Sequence, residues 1–520
     1  MTIDNRGFLD LLHARCQAMP EAEFMKFGAQ TLTFADLERS SRAVAVALKR
    51  KGLVSGDRVA VMMANRPEVA ALLYGLARSG LVWIPVNPQQ RGVGLKYLVE
   101  HSSPKVILVD EDKISSLKEC GADLGQTDII SFSGTNETIG DLLGARGDWS
   151  EHPTDAATLF AIMYTSGTTG HPKGVLVTHG MMRFAAEAAA LLADARDGDR
   201  LHMWEPMYHV GGAQVLLMPL LRRISIQLVE KLSVSNFWEQ VQTLGCTHVH
   251  YLGGILQMLL KRPASQIDRS HGARVGWGAG ARADNWNTIQ DRFGISLREA
   301  YGMTETASIA TFNGDGTPGS VGRSVPWFKV EVLDEMGAPV PAHTRGEIVV
   351  TANVPHALFS GYFRNEEATR SALRDGKMFT NDIGSFDEAG RLFFHGRKTD
   401  SIRCRGENVS AMEVEQVVIL HPAVADSAAV GVEAEIGEQE IKLFVELKPG
   451  FVVSETELSA WLSKRLAPYQ NPRYVAFVSS FERTPSERIM KHKLDKSVEA
   501  TWDRNQGPER QASLNAGAAR

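Results

Sequence analysis

Cysteine is scarce in this chain of 520 residues, which contains four, namely Cys16, Cys120, Cys246 and Cys404. None of them stands in a Cys-x-x-Cys pair, so the sequence indicates neither a structural zinc site nor a disulfide framework. Scattered single thiols are typical of proteins in a reducing compartment, and we therefore expect a cytoplasmic protein.

Long apolar runs and an excess of positive charge are also missing. No uninterrupted apolar stretch approaches the roughly 20 residues that a membrane span requires. The first residues show no basic region followed by an apolar one, so we expect no secretory signal. The formal net charge is −5, which argues against nucleic acid as the main partner. The expected partners are small molecules.

What the sequence does contain is a loop rich in glycine and hydroxyl groups, directly after the apolar run 159–164. Glycine lets the backbone approach a ligand closely, and consecutive N–H groups in such a loop form an anion site. Hydroxyl groups and one Lys add further donors, so the loop predicts a polyphosphate site. It is not the common P-loop, because Gly-x-x-x-x-Gly-Lys-Ser/Thr is absent. The predicted loop residues are Thr165, Ser166, Gly167, Thr168, Thr169, Gly170 and Lys173.

A second motif, residues 299–306, reads Glu-Ala-Tyr-Gly-Met-Thr-Glu-Thr. The face of Tyr301 can stack on a purine, with Gly302 leaving room beside it. The hydroxyl of Thr304 can donate to a phosphate oxygen. The carboxylate of Glu305 can hold Mg²⁺, a hard cation that takes oxygen ligands.

Two shorter patterns complete the set of motifs. Asp382, after Thr-Asn, has a carboxylate suited to accept two O–H bonds, although such an Asp taken alone is more often a turn residue. Arg397, after a Gly, has a guanidinium suited to bind an anion. A Gly-x-Gly run at residues 276–281 lacks the third Gly of a dinucleotide fingerprint, which disfavours dinucleotide binding.

Together, these motifs resemble those of the adenylate-forming enzymes, which include acyl-CoA synthetases, peptide-synthetase adenylation domains and luciferases. The resemblance extends from about Thr31 to Leu494. It implies that Asp382 accepts both ribose hydroxyls and that Arg397 contacts ribose or phosphate. It also implies that the segment Gly278, Ala279 and Gly280 lies against the adenine and the acyl pocket.

The same resemblance implies an acyl pocket gated by His209, although an interior His taken alone is more often only a buried side chain. If the acid carries a quaternary ammonium, Trp204 or Trp277 can supply a cation–π face and Glu205 a counter-charge. Simple packing of these aromatic rings is the alternative. The predicted pocket residues are Trp204, Met207, Tyr251, Gly253, Trp277 and Met303.

The C-terminal motif departs from the family pattern. Members commonly carry Ser-Gly-Lys there, and the resemblance makes that Lys the bridge between the acyl carboxylate and the α-phosphate. This chain has Glu487 and Arg488 instead. Arg keeps the charge but differs in shape, so adenylation is retained, slowed or served by another cation such as Lys491. The predicted catalytic residues are Lys173, Glu305, Arg488 and His209.

The order of strand-like and helix-like patterns predicts an α/β fold. We expect a large N-terminal AMP-binding domain (1–398), with parallel-rich sheets, flanking helices and a small barrel-like part. A hinge at 399–400, centred on Thr399, leads to a small, mobile α+β C-terminal domain (401–500). Residues 501–520 are expected to be a disordered tail.

These features predict an ATP- and Mg²⁺-dependent acid–CoA ligase that acts on a small carboxylic acid, with coenzyme A as co-substrate. Within the family, residues 403–410 and 237–241 look most like the crotonobetaine/carnitine–CoA ligases. One alternative is an adenylating enzyme whose acceptor is an amine or a carrier-protein thiol. Another is a nucleotide-binding protein that has lost catalysis. The sequence leaves monomer and homodimer open.

Overall fold

The structure is a computed structural model of the chain. It describes residues 7–133, 137–165, 172–252, 255–281, 283–397, 401–434, 438–482, 489, 491–499 and 501–506. Within these ranges, no helix combines the length and the apolar character that a bilayer crossing needs.

The helices of the described ranges connect successive strands, as the alternating pattern predicts. Several begin with a side-chain cap, such as Thr33, whose hydroxyl accepts from the backbone N–H of Asp36 at the start of the second helix. They are α1 (Phe8–Ala18), α2 (Phe34–Arg50), α3 (Pro67–Arg78), α4 (Gly92–Ser102), α5 (Ile114–Glu119), α6 (Ile139–Gly144), α7 (His179–Leu192), α8 (Val210–Leu221), α9 (Phe237–Thr243), α10 (Ile255–Lys261), α11 (Trp286–Phe293), α12 (Glu366–Ala372), α13 (Ala411–Val418) and α14 (Glu455–Ser463).

Two large sheets form most of the N-terminal domain. Their strands are rich in apolar residues on both faces, which is typical of strands covered by helices on each side. They are β1 (Glu23–Phe27), β2 (Gln30–Thr33), β3 (Arg58–Met62), β4 (Val82–Pro85), β5 (Val106–Val109), β6 (Asp128–Ser131), β7 (Leu159–Thr165), β8 (Lys173–Thr178), β9 (Arg200–Met203), β10 (Ser225–Leu228), β11 (His248–Leu252), β12 (Val275–Ala279), β13 (Ser296–Tyr301), β14 (Thr311–Asn313) and β15 (Arg323–Ser324).

Strand order confirms the predicted parallel-rich sheets. In the described ranges one sheet has the order β6-β5-β3-β4-β7-β8, and the other β15-β14-β13-β12-β11-β9-β10-β1-β2. Pairing is parallel except where β8, β2, β14 and β15 join near the edges. The adjacent parallel strands β11, β12 and β13 therefore present their carboxyl ends side by side, at the edge where α/β sheets bind ligands.

The helices α3 and α8 meet in the core that joins the two sheets. The Tyr74 hydroxyl donates to the carbonyl oxygen of Leu216 at 2.8 Å, and both side chains are buried. The same apolar cluster includes Val59 of β3 and Leu201 of β9, one from each sheet. The two sheets therefore share one core and hold the strand ends at the site in fixed positions.

A third, antiparallel sheet follows and matches the predicted barrel-like part. It carries Asp382 on its long central strand, next to the strand that ends at Arg397. Its strands are β16 (Phe328–Leu333), β17 (Gly346–Ala352), β18 (Leu373–Arg374), β19 (Lys377–Phe386) and β20 (Leu392–Arg397).

The smaller C-terminal domain is α+β, as predicted. It contains a two-stranded hairpin and a four-stranded sheet of order β23-β24-β25-β26, packed with α13 and α14 around a separate apolar cluster. The predicted hinge, 399–400, lies outside the described residues. The strands are β21 (Ser401–Cys404), β22 (Glu407–Ser410), β23 (Val424–Glu433), β24 (Gln439–Leu447), β25 (Tyr474–Val478) and β26 (Trp502–Asp503).

The start of the predicted disordered tail is wrong. Residues Trp502–Asp503 form β26, which pairs with β25. The buried Asp503 carboxylate accepts a hydrogen bond from the Arg473 guanidinium at 3.1 Å, which ties this strand to the sheet. Residues 507–520 lie outside the described part of the chain.

Candidate active site

A cavity of about 1340 Å³ lies at the carboxyl ends of β11, β12 and β13. Its walls come from both domains. Lys173, Glu305 and Asp382 belong to the N-terminal domain, while Glu407 and Lys491 belong to the C-terminal domain. A cavity of this size is large enough for a nucleotide and a second small ligand.

At one end of the cavity, Lys173 and Glu305 approach each other through Tyr362. The Tyr362 hydroxyl donates to Oε1 of Glu305 at 2.8 Å, and the Lys173 ammonium lies 5.1 Å from the centre of the Tyr362 ring. Burial, followed by the charge of Glu305, holds the pKa of Tyr362 well above its usual value, so the phenol keeps its proton. The motifs did not reveal Tyr362.

Glu305 fits the predicted role of a Mg²⁺ ligand. Glu305 is 7% exposed and sits in a short helical turn with Thr304, which also lines the cavity. No cluster of three or more His, Cys, Asp or Glu side chains that could hold a metal occurs among the described residues. A single carboxylate that binds the metal together with substrate phosphates is typical of Mg²⁺ sites.

Removal of the Tyr362 hydroxyl should weaken the metal site without removing a ligand. Because the phenol orients the Glu305 carboxylate, we expect Tyr362→Phe to raise the Mg²⁺ concentration for half-maximal activity about 10-fold. Tyr74→Phe, which removes the buried hydroxyl bonded to Leu216, is the matched control. A Mg²⁺ titration of both variants checks this, and equal Mg²⁺ requirements would show that Tyr362 does not position Glu305.

The predicted nucleoside residues also meet in the structure. The Tyr301 hydroxyl donates to Oδ2 of Asp382 at 2.9 Å, and the Tyr301 ring stacks on Phe394 with 5.7 Å between ring centres. Asn381 has φ of 58°, a left-handed conformation that Asn tolerates better than most residues and that explains how it replaces the usual Gly. Arg397 pairs with Asp382 across adjacent strands, but its side chain lies outside the described part.

The segment from Gly278 to Ala281 forms part of the cavity wall. A Cβ at Gly278 would overlap the carbonyl oxygen of Tyr251, so glycine is required there for close approach. Glu299 braces the segment, because its carboxylate accepts the backbone N–H groups of Gly280 and Ala281 and the Tyr251 hydroxyl. Gly278, Ala279 and Gly280 all line the cavity, next to Tyr301 and Gly302.

The residues of the predicted acyl pocket lie in two different surroundings. Trp277 and Met303 line the cavity. Trp204, Met207 and Tyr251 do not, because they are buried in the apolar core behind it, and the Trp204 indole N–H donates to the carbonyl oxygen of His250 at 2.9 Å.

Three polar side chains lie at this end of the cavity, and the sequence identifies one of them, Glu205. Glu205, Gln214 and His250 line it and are all buried. Glu205 appears in the sequence only as a counter-charge, and His250 lies within a strand pattern that gives no sign of its partner.

His209 connects the predicted acyl end of the cavity, lined by Glu205 and Gln214, to the C-terminal domain. Its Nε2 lies 2.9 Å from Oε1 of Glu407, and both residues line the cavity. Burial alone would lower the pKa of His209, but the Glu407 carboxylate raises it above its usual value through charge and hydrogen bonding. The protonated imidazole is therefore favoured where the two domains meet.

This ion pair predicts a pH-dependent contact. Because the folded-state pKa of His209 is raised, the contact stabilises fully below the ordinary His pKa and is lost as the pH rises through the raised value. We expect Glu407→Gln to lower the His209 pKa in an NMR titration, while Glu433→Gln, an exposed site on β23, leaves it unchanged. An unchanged pKa in Glu407→Gln would contradict the assigned partner.

Several predicted site residues fall outside the described part of the chain. The structure gives the two ends of the phosphate loop, Thr165 and Lys173, whose backbones pair across β7 and β8. Lys491 is described, and its ammonium lies 2.7 Å from Oε1 of Glu415. The residues outside the described ranges are Ser166, Gly167, Thr168, Thr169, Gly170, Gly253, Thr399 and Arg488.

Comparison with known proteins agrees with the motifs. The family described as AMP-binding enzyme matches residues 12–363, and the AMP-binding enzyme C-terminal domain matches residues 413–488. The crotonobetaine/carnitine–CoA ligase of Salmonella typhimurium is 30% identical over 487 residues, covering 89% of this chain and 92% of that protein. This relative agrees with the predicted resemblance to that branch.

Solved structures share the fold. A double mutant of o-succinylbenzoate CoA synthetase from Bacillus subtilis, bound with its product analogue, has a TM-score of 0.83 at 24% identity, covering 95% of this chain and 99% of that chain. The amide bond synthetase McbA from Marinactinospora thermotolerans has a TM-score of 0.82 at 24% identity, covering 94% and 98%. With two family domains matched in order, this chain belongs to the AMP-binding, adenylate-forming enzymes.

Proposed function

We propose that this protein is an AMP-forming acid–CoA ligase. The observation that carries the proposal is the single cavity in which Lys173, Glu305 and Asp382 face an acyl end closed by the C-terminal domain. A ligase that uses one intermediate in two steps needs both ends in one enclosed space. The name of the Salmonella relative supports a CoA acceptor.

In the first step, a carboxylate oxygen of the acid attacks the α-phosphorus of ATP, and pyrophosphate leaves. Lys173, Thr304 and Asp382 line one cavity, which supports roles for the ammonium and the hydroxyl in offsetting negative charge on the phosphates, and for the carboxylate in holding the ribose. Arg397 is the proposed further cation. Mg²⁺ held by Glu305 would supply additional positive charge at the phosphates.

In the second step, the CoA thiolate attacks the acyl carbonyl and AMP leaves. The two steps need different groups around the adenylate, and we infer that the C-terminal domain rotates about a hinge at Thr399 to exchange them. The present arrangement brings Glu407 to His209 and lets Tyr469 donate to Gln90 at 2.8 Å. These contacts support a state in which the C-terminal domain covers the acyl end.

An adenylating enzyme with an amine acceptor is the second candidate. The observation that favours it is the TM-score of 0.82 with an amide bond synthetase, nearly equal to that with the CoA synthetase. Both candidates share the first step and differ in the nucleophile of the second.

The experiment that tests the proposal is pyrophosphate release over a panel of carboxylic acids, with and without CoA. We expect release that depends on ATP, Mg²⁺ and a particular acid, and a thioester when CoA is present. Amide formation from added amines, with no thioester from CoA, would favour the second candidate. Release with none of the acids would indicate a nucleotide-binding protein without this catalysis.

A further inference from the structure

The acyl end of the cavity is walled by a buried carboxylate. Glu205 follows β9, is 4% exposed and lines the cavity. Its position depends on Gly211 in α8, because a Cβ at Gly211 would overlap the Glu205 carboxylate. The local sequence therefore leaves room for this carboxylate at the pocket wall.

Two hydrogen-bond acceptors at this wall have no donor among the described residues. They are Oε2 of Glu205 and Oε1 of Gln214, each in a side chain that lines the cavity and is more than nine-tenths buried. Nδ1 of His250 lies 3.2 Å from Oε2 of Glu205 but makes no well-oriented hydrogen bond. Buried acceptors without donors are costly and are usually completed by a ligand or a water molecule.

The cost of burying the Glu205 carboxylate outweighs the positive charges near it. Burial raises the pKa of Glu205 to about 7, against the opposing charges of His209 and Arg403. His209 is already engaged with Glu407. Burial lowers the pKa of His250 to about 3, so this neighbour is neutral and supplies no positive charge. At neutral pH the carboxyl is therefore partly protonated, and a cation brought by the substrate would favour its ionised form.

An aromatic residue near this carboxylate also suits a cationic ligand. Trp277 lines the cavity, and its ring packs against His250 with 4.5 Å between ring centres. An indole ring is a favourable neighbour for an organic cation.

We propose that the substrate acid carries a protonated primary or secondary amine at its far end, which donates to Glu205 and Gln214. This inference rests on the proposed ligase function and specifies its substrate class. A quaternary ammonium would supply charge but no N–H donor, and an alkyl tail would supply neither. Glu205 and Gln214 are then the residues that determine specificity.

The test compares three matched series of acids in the pyrophosphate release assay: ω-amino acids of increasing chain length, their N-trimethyl derivatives, and alkanoates of equal heavy-atom count. We expect kcat/KM for the best amino acid to exceed that of its alkanoate about 10²-fold and that of its trimethyl derivative about 10-fold. A preference for alkanoates or trimethyl derivatives would overturn the inference.

Variants of Glu205 and Gln214 test whether these two residues cause the preference for amine-bearing acids. Glu205→Gln and Gln214→Met, two nearly isosteric changes, should each reduce the preference for the amine. Glu413→Gln, which alters a half-buried carboxylate of the C-terminal domain that lines the same cavity, should retain it. An amine preference that survives in both Glu205→Gln and Gln214→Met would overturn the assignment.

Failure of the ligase function is distinguishable from failure of this inference. If no acid releases pyrophosphate, the proposed function is wrong, and calorimetric titration of the same acids then tests the pocket directly. If the amino acids bind more tightly than the alkanoates and the trimethyl derivatives, and Glu205→Gln loses this difference, the inference is supported even though no turnover occurs. Equal or weaker binding of the amino acids overturns it.

Discussion

Replacement of Glu305 by Gln is expected to lower turnover about 10²-fold and to raise the Mg²⁺ requirement, while leaving the fold intact. The amide keeps an oxygen that can accept from Tyr362, as the carboxylate does at 2.8 Å, but it loses the negative charge that attracts the metal. Initial rates of pyrophosphate release, measured against Mg²⁺ concentration, give both quantities.

Glu331→Gln is the matched control for this variant. Glu331 lies on β16 and pairs with Lys329 at 2.7 Å, a surface contact that contributes little to stability. Glu331→Gln should leave both the turnover and the Mg²⁺ requirement unchanged. The thermal melting of Glu331→Gln and of Glu305→Gln should match that of the parent protein. Near-normal kinetics in Glu305→Gln would remove Glu305 from the site.

The second large effect is expected at Arg488, which stands where the family usually has Lys. If Arg488 bridges the acid and the α-phosphate, it serves adenylation alone, because the C-terminal domain has rotated before CoA attacks. Arg488→Ala should then suppress pyrophosphate formation about 10²-fold, yet leave thioester formation from pre-formed acyl-adenylate nearly unchanged. Separate assays of the two half-reactions measure this.

Two further variants show which cation serves adenylation. Arg488→Lys should retain or raise adenylation, because it restores the ammonium group common in the family. Unaltered adenylation in Arg488→Ala would instead show that another cation bridges the acid and the α-phosphate. Lys491→Ala is then the variant to measure, since the Lys491 ammonium lines the cavity and lies 2.7 Å from Glu415.

Local patterns predicted the parts of the fold that short-range chemistry decides. A Pro at the first turn and an apolar period of about 3.6 residues place α3 at Pro67–Arg78, the bounds found in the structure. Apolar runs such as β5 indicate buried strands, and their alternation with helices indicates parallel pairing. The motif residues Tyr301 and Asp382 meet because the strands that carry them are fixed by this core.

Contacts between distant segments could not be predicted from the sequence. Tyr362 and Glu305 are 57 residues apart, and no periodicity links them. Whether an aromatic side chain faces the cavity or the core depends on three-dimensional packing, so the sequence does not reveal that Trp204 lies in an apolar cluster while Trp277 lines the cavity. The short strand β26 is held by Arg473, 30 residues away from Asp503, which a composition window does not detect.

The measurement that tests the ligase reaction most directly is a single-turnover experiment followed by mass spectrometry. Enzyme in excess is mixed with ATP, Mg²⁺ and the preferred acid, and CoA is added after the first turnover. The two-step reaction predicts an acyl-adenylate that disappears on addition of CoA, with thioester and AMP formed in equal amounts. An adenylate that persists in the presence of CoA, or no adenylate at all, would contradict it.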